Sequence, residues 1–145
     1  MAIDLLKPNP PQPIYCHDLE SLFHVMVWHA HRYQDGKLVD DPPFEDWARG
    51  TFDVAFKSKT SFILSGNIDP TPQHKPLYDV LFDSQRALAR GIVQTRAQRE
   101  TSPDGSRRIV LPTEEEMLTL CGNFSFEIVE TLFKECDPMR VVVSK

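Results

Sequence analysis

The feature that most constrains this chain is a helix-forming segment whose apolar side chains cover nearly every face. Over residues 18–31, Asp18 is a suitable N-cap, and Glu20 places a negative charge in the first turn, where it suits the helix dipole. A helix that is apolar all round is normally buried in a larger domain. The segment therefore predicts a central helix, an unusual demand for the first helix of a short chain. Its apolar residues are Leu19, Leu22, Phe23, Val25, Met26, Val27, Trp28 and Ala30.

Length and charge narrow the class of protein further. The chain has 145 residues, enough for one domain at about 150 residues per domain. Its net charge of −5 argues against general binding to nucleic acid or anionic membranes. Three cysteines without a Cys-x-x-Cys pair are typical of a reduced, intracellular protein. The N-terminus has neither a basic region nor a long apolar run, so we expect no secretory signal and no membrane partner.

Prolines and capping signals divide the rest of the chain into further helices. Thr51 is a predicted N-cap, and Thr113 with Glu116 forms a capping box. The turn sequence Pro103-Asp104-Gly105 lies within residues 101–112, which we predict to be a loop. The fold class is mainly α. The helices are expected over about 51–62, after Pro76, from 114 onward and over about 126–137.

The histidines do not predict a metal site. His17, His24 and His31 fall seven residues apart, so they share one helix face but lie about 10 Å from each other. That spacing is too long for a single zinc ion, and no nearby Cys-x-x-Cys completes a site. We expect these histidines to cap or pack.

Nucleophilic and phosphate-binding motifs are also missing. Cys16 adjoins His17, but neighbouring side chains in an extended segment point apart. No two of the six glycines lie closer than 14 residues, which excludes a dinucleotide fingerprint and a Walker loop. The sequence therefore predicts no catalytic residue, no ATP-binding residue and no metal ligand.

Residues 86–108 concentrate positive charge. This segment holds six arginines against Glu100 and Asp104 in a chain that is acidic overall. A solvated helix face and loop is the simpler interpretation, and no aromatic residue is interleaved for base stacking. The alternative is a surface that binds an anionic protein partner.

One stretch resembles a known family. His17-Asp18-Leu19-Glu20-Ser21-Leu22-Phe23-His24-Val25-Met26-Val27-Trp28 is similar to the H-D-L-E-S-F-x-V-L-x-W signature of the fungal-type protein kinases. Residues 1–6, MAIDLL, resemble the F-M-A-x-E-L-L segment that ends the activation loop there. Phe44-Glu45-Asp46-Trp47, Gly50 and residues 57–62 resemble the W-x-x-G and K-x-x-F-L region that follows. The match is specific over residues 1–64 and thin beyond.

The resemblance implies a fold and three structural residues. Residues 1–145 would form a partial protein-kinase-like domain, its helical C-terminal lobe from the end of the activation loop onward. The first helix would be the buried spine of that lobe, and Asp18 would accept hydrogen bonds from backbone N–H groups of the catalytic loop. Asp4 would stand at the acidic position of the A-P-E motif. Asp137-Pro138-Met139-Arg140 resembles the D-P-x-x-R that supplies its arginine partner, so Arg140 would pair with Asp4.

The motifs of phosphoryl transfer do not occur. Kinase motifs run from a Gly-rich loop through V-A-I-K, H-R-D and D-F-G to A-P-E. Val54-Ala55-Phe56-Lys57 mimics V-A-I-K without a preceding Gly-rich loop, and His31-Arg32-Tyr33 mimics H-R-D without its aspartate. Both are interpreted as coincidences, because they also stand in the reverse of the required order.

The resulting functional hypothesis is a C-terminal-lobe fragment without the N-terminal lobe and catalytic loop. The intact family would transfer the ATP γ-phosphate to Ser or Thr of proteins with Mg-ATP, whereas this chain alone would need no cofactor and would be inactive. Its expected partner is the missing N-terminal lobe or upstream kinase segment. The alternative is a free-standing helical protein-interaction module that uses the basic 86–108 segment.

Overall fold

The prediction of a mainly helical protein is confirmed by a computed structural model, which describes residues 1–10, 12, 14–95 and 98–135. Two small antiparallel hairpins and three 3-10 turns accompany the α-helices in this part of the chain. The helices are α1 (Tyr15–Arg32), α2 (Phe52–Ser65), α3 (Tyr78–Gln94), α4 (Glu114–Leu118) and α5 (Phe126–Glu135). The strands are β1 (Tyr33–Gln34), β2 (Lys37–Leu38), β3 (Gln98–Thr101) and β4 (Arg107–Val110), and the 3-10 turns are Ile3–Leu6, Glu45–Trp47 and Pro72–Leu77.

The predicted start of α1 was wrong. The helix begins at Tyr15, and Ile14 rather than Asp18 occupies the N-cap. The ring of His17 does the capping from inside the first turn, because its Nδ1 accepts the N–H of Ile14 at 3.2 Å. Asp18 lies in the first turn with an exposed side chain.

The other capping signals are confirmed. Thr51 Oγ1 accepts the N–H of Val54 at 3.3 Å and starts α2, which runs beyond the predicted Phe62 to Ser65. Thr113 Oγ1 accepts from the N–H of Glu116 at 3.2 Å, while Glu116 Oε2 accepts from the N–H of Thr113 at 2.8 Å. These bonds join residues three positions apart, so local sequence is enough to predict them.

The prediction of a loop over residues 101–112 is incomplete, since Thr101 and Arg107–Val110 belong to the strands of a β-hairpin. Strands β3 and β4 pair in antiparallel register, with Glu100 opposite Arg108. The expected turn is present, because Asp104 Oδ1 accepts the N–H of Ser106 at 2.9 Å and Gly105 adopts a positive φ of +83°. The flanking strands escaped prediction because their charged residues do not alternate with apolar ones.

Helix α1 packs against several other elements of the described structure. It contacts α3, α4 and the 3-10 turns at Ile3–Leu6 and Pro72–Leu77, while α3 also packs on α2 and α5. Gly91 permits the close approach of α3 to the segment after α4, since a Cβ there would lie 2.5 Å from Leu120 Cβ. The helix continues past this glycine to Gln94. The side chains most completely buried are Phe23, Val27, Ile63, Val80, Leu81, Leu88 and Phe124.

One face of α1 is left open to solvent, contrary to a helix buried on every side. Its exposed positions recur at alternating spacings of three and four residues, so they form a single line along the helix. Leu22 is 47% exposed and Val25 is 60% exposed on this line. We call it the α1 stripe; its members are Tyr15, Asp18, Leu22, Val25 and His29.

Candidate functional site

The N-terminal end of α1 borders a cavity of about 270 Å³. Asp4 from the first 3-10 turn and His17 and Glu20 from α1 supply charged or titratable side chains to its wall. The remaining sides are lined by α2 and α3, by Met117 of α4, and by Leu120 just after α4. The predicted site residue Asp4 therefore faces the cavity, whereas Asp18 lies outside it on the α1 stripe.

Glu20 is the buried polar residue that ties the N-terminal segment to α1. Its Oε1 accepts the N–H of Ile3 at 2.7 Å and lies 3.1 Å from Nε2 of His24, and the residue is only 5% exposed. Sequence reasoning treated Glu20 only as a charge for the helix dipole. The sequence did contain a signal, because Glu20 stands four positions before His24 and side chains at this spacing are neighbours on a helix surface.

Lys59 brings a second buried charge close to Glu20. Its Nζ donates to the backbone carbonyl of Met1 at 2.8 Å and lies 5.6 Å from the centre of the Trp47 ring. Burial lowers the pKa of the Lys59 ammonium, and the carboxylate of Glu20 acts in the opposite direction. The N-terminal segment is thus held by α1 through Glu20 and by α2 through Lys59.

Asp4 has two partners among the described residues. Its Oδ1 lies 2.5 Å from Lys7 Nζ, and its Oδ2 lies 3.8 Å from Nε2 of His17. Arg140, the partner expected from the resemblance, lies outside the described residues. The Asp4–Arg140 pair therefore stays a prediction.

Cys16 faces the same cavity but is not an activated nucleophile. Its thiol donates to the carbonyl of Met117 at 3.2 Å. Burial, with a smaller contribution from Glu20, raises the pKa of Cys16 to about 11. The thiol is therefore protonated at neutral pH, and the thiolate is the form that reacts.

The expectation that histidines cap or pack is confirmed for His17 and His31. His17 caps α1, as described above. The ring of His31 is buried, with Nδ1 lying 2.8 Å from the Val27 carbonyl and Nε2 accepting the N–H of Asp69 at 2.9 Å. Within residues 1–10, 12, 14–95 and 98–135, no three His, Cys, Asp or Glu side chains gather as a metal site requires.

We expect this chain to lose stability as the pH falls from about 7 to 5. Burial lowers the pKa of both His24 and His31 below the ordinary value of 6.5. The unfolded state therefore takes up protons first, so the free energy of unfolding decreases as pH drops below that value. Near His24, Lys59 further opposes protonation and Glu20 favours it.

Urea unfolding at pH 7.5, 6.5 and 5.5 measures this loss. His24→Gln and His31→Gln should each make the free energy of unfolding depend less steeply on pH. His29→Gln, at an exposed position of the same helix, should leave this pH dependence unchanged. If the pH dependence of the free energy of unfolding were equally steep in all three variants, groups other than His24 and His31 would cause the loss of stability.

Several residues that carry the resemblance pack on one another. The Trp47 ring lies 5.4 Å from that of Phe62 and 5.1 Å from that of His24. Val54-Ala55-Phe56-Lys57 lies within α2, and His31 and Arg32 end α1, in agreement with their interpretation as coincidences. Arg32 has a structural contact, since its Nη2 lies 2.6 Å from Glu45 Oε1.

No protein-family model, no curated protein and no solved structure matches this chain. In the described part of the chain, none of the helices combines the length and apolar character that a membrane crossing requires.

Proposed function

We propose that this chain is a helical scaffold that positions the catalytic segment of another part of its fold. More particularly, we propose the C-terminal lobe of a fungal-type protein kinase, with α1 as the helix on which the upstream kinase segment packs. The observation that carries the proposal is the α1 stripe. Helix α1 leaves Leu22 and Val25 exposed on the same line as the carboxylate of Asp18, although ten of its 18 residues are buried.

Asp18 has the chemistry that this role needs. Its side chain is exposed in the first turn of α1, and no donor among the described residues bonds to it. A carboxylate accepts several backbone N–H groups at once, and such charge-assisted bonds are short and strong. In the proposed fold Asp18 is a positioning residue, which orients the catalytic loop without contacting ATP or substrate.

The packing of the resembling segments supports one further step of the proposal. Glu20 of α1 binds the backbone of Ile3, Lys59 of α2 lies against Trp47, and the 3-10 turns Ile3–Leu6 and Glu45–Trp47 both pack on α2. A scaffold of this kind holds a docking face rigid, because its supporting contacts are buried.

The residues present indicate which tasks of the proposed kinase belong to this chain and which to the upstream segment. Phosphoryl transfer depends on positioning and electrostatics supplied by a lysine, a base aspartate and metal-binding Asp and Asn side chains. None of the corresponding motifs occurs in residues 1–145. The upstream segment would bind Mg-ATP, and the present chain would hold that segment in its active geometry.

Sequencing the transcript through its 5′ end, followed by a phosphotransfer assay, tests the proposal. The reading frame should continue upstream into a Gly-rich loop, a lysine, H-R-D and D-F-G, and the longer protein should phosphorylate a peptide library containing Ser and Thr. Asp18→Asn should then lower kcat by at least about tenfold, equivalent to about 1.4 kcal/mol of barrier. Asp53→Asn is the matched control, since Asp53 is an exposed aspartate in the first turn of α2.

Two results would contradict the proposal. One is a reading frame without the catalytic motifs, and the other is an Asp18→Asn variant of the longer protein whose kcat is unchanged. Residues 1–145 alone should also show no rise in melting temperature with Mg-ATP, because a ligand that binds only the folded state must stabilise it.

The β3–β4 hairpin supports the second candidate, a protein-interaction module. Arg107 is exposed on β4, and Ile109 beside it is 65% exposed. A basic strand that also exposes apolar side chains suits an acidic protein surface with an apolar centre. A reading frame without the catalytic motifs would favour this function.

A further inference from the structure

The cavity beside Asp4 and Glu20 has mostly apolar walls. It lies where α1, α2 and α3 meet the first 3-10 turn and the α4 region, so residues distant in sequence form one enclosure. Cavities with apolar walls and a few convergent polar atoms are typical small-molecule sites. The apolar side chains are Ile3, Ile14, Phe56, Ile92, Met117 and Leu120.

The polar atoms of the wall are mainly hydrogen-bond acceptors. Glu20 uses Oε1 for both Ile3 and His24, and no donor among the described residues bonds to its Oε2, although the side chain is only 7% exposed. The hydroxyls of Thr60 and Thr95 donate to carbonyls of their own helices, at 2.7 Å and 2.9 Å. Their oxygens therefore retain lone pairs but have no proton to offer.

The hydrogen-bond donors of this wall are fewer than its acceptors, and they already have partners. His17 accepts a bond at Nδ1, so its neutral ring carries the proton on Nε2, which faces Asp4 Oδ2 at 3.8 Å. Lys7 pairs with Asp4, and Lys59 donates to the Met1 carbonyl. Among the described residues, Glu20 Oε2 thus receives no hydrogen bond from the wall, whose one ammonium, that of Lys7, is paired with Asp4.

We propose that this cavity binds a small organic amine, with its ammonium group at Glu20 and Asp4 and its apolar part between Phe56 and Ile92. A protonated primary amine offers three N–H donors and no acceptor, which complements an acceptor-rich wall. The wall carries the carboxylates of Asp4 and Glu20 against the single ammonium of Lys7, and this excess of negative charge disfavours a ligand with a carboxylate of its own. This binding activity goes beyond the scaffold role and does not depend on it.

The volume sets the size of the ligand. An apolar cavity of about 150 Å³ accommodates benzene. The present cavity of about 270 Å³ therefore has room for a benzene ring with a short aminoalkyl chain. 2-Phenylethylamine has this size, and 2-phenylethanol and 3-phenylpropionate are its neutral and anionic counterparts of nearly equal shape.

Titration of the three compounds into residues 1–145, followed by amide chemical shifts, tests the proposal. 2-Phenylethylamine should bind at least about tenfold more tightly than the alcohol or the acid, a difference of about 1.4 kcal/mol. The amide signals of Thr60, Ile92 and Leu120 should shift, because these residues line the cavity. Equal affinity for all three compounds, tighter binding of the acid, or no binding would overturn the proposal.

Two variants locate the ammonium. Glu20→Gln keeps an acceptor for Ile3 while removing the charge, and it should weaken amine binding about tenfold or more. Glu130→Gln removes an exposed carboxylate on α5 and should change nothing. If Glu20→Gln does not fold, Asp4→Asn, which changes a half-buried side chain, should reduce the preference for amine over alcohol. An unchanged preference in the variant that folds would contradict the assignment.

Discussion

Replacement of Glu20 by alanine is expected to lower the free energy of unfolding by about 3–5 kcal/mol, the cost of breaking a buried charged cluster. The change leaves the buried N–H of Ile3 and Nε2 of His24 without an acceptor. It also removes the carboxylate that favours the charged form of Lys59. Unpaired buried donors each cost about 1–3 kcal/mol, so the loss should be severe.

Asp18→Ala is the matched control for this prediction. Asp18 stands two residues earlier on the same helix and is exposed, so its replacement should cost less than about 1 kcal/mol. Chemical denaturation of both variants at pH 7 gives the comparison. Equal losses would show that Glu20 does not hold the N-terminal segment. A stable Asp18→Ala protein would also separate the fold from the proposed docking role of this carboxylate.

Replacement of Phe62 by alanine should cost about 3–5 kcal/mol, the range for deleting a buried phenylalanine. Phe62 is 6% exposed, and its ring centre lies 5.1 Å from that of Phe44 and 5.4 Å from that of Trp47. It also stacks on Phe23 of α1. The deletion therefore opens a void between α1 and α2 that the neighbouring rings cannot fill without leaving their positions.

Phe52→Ala gives the control on the same helix. Phe52 is the first residue of α2 and is 66% exposed, so its loss should cost less than about 1 kcal/mol. Melting temperature and urea midpoint report both variants. If Phe52→Ala destabilised the protein as much as Phe62→Ala, the packing of Phe62 on its neighbouring rings would not be the main contact between α1 and α2.

Helices and their local caps could be predicted because their signals lie within one turn of chain. The Thr113–Glu116 box and the Thr51 cap were correct for this reason. The Asp18 cap was wrong because a competing local bond, from Ile14 N–H to His17 Nδ1, starts the helix earlier. The choice between two plausible caps depends on how the preceding segment packs, which a local pattern does not contain.

The hairpin shows a different limit. Its turn was recognised from Asp104 and Gly105, but its strands carry charges where alternating apolar residues would be expected. Backbone pairing across the turn makes these strands, and pairing is a relation between segments rather than a property of either one.

The candidate site depends still more on the tertiary structure. Asp4 and Asp18 were singled out by resemblance, yet the cavity gathers Asp4 with His17 and Glu20 and places Asp18 outside it. Cys16 reaches the carbonyl of Met117 across 101 positions of sequence. No spacing rule connects residues so far apart.

By itself, the sequence determined a mainly helical chain, most of its helix starts and the apolar character of its first helix, because these follow from interactions within a few residues. Only the tertiary structure decided which face of that helix stays exposed and which acidic residue becomes buried. The physical reason is that the burial of each α1 side chain depends on which other segments pack against that face of the helix, and those segments are distant in sequence.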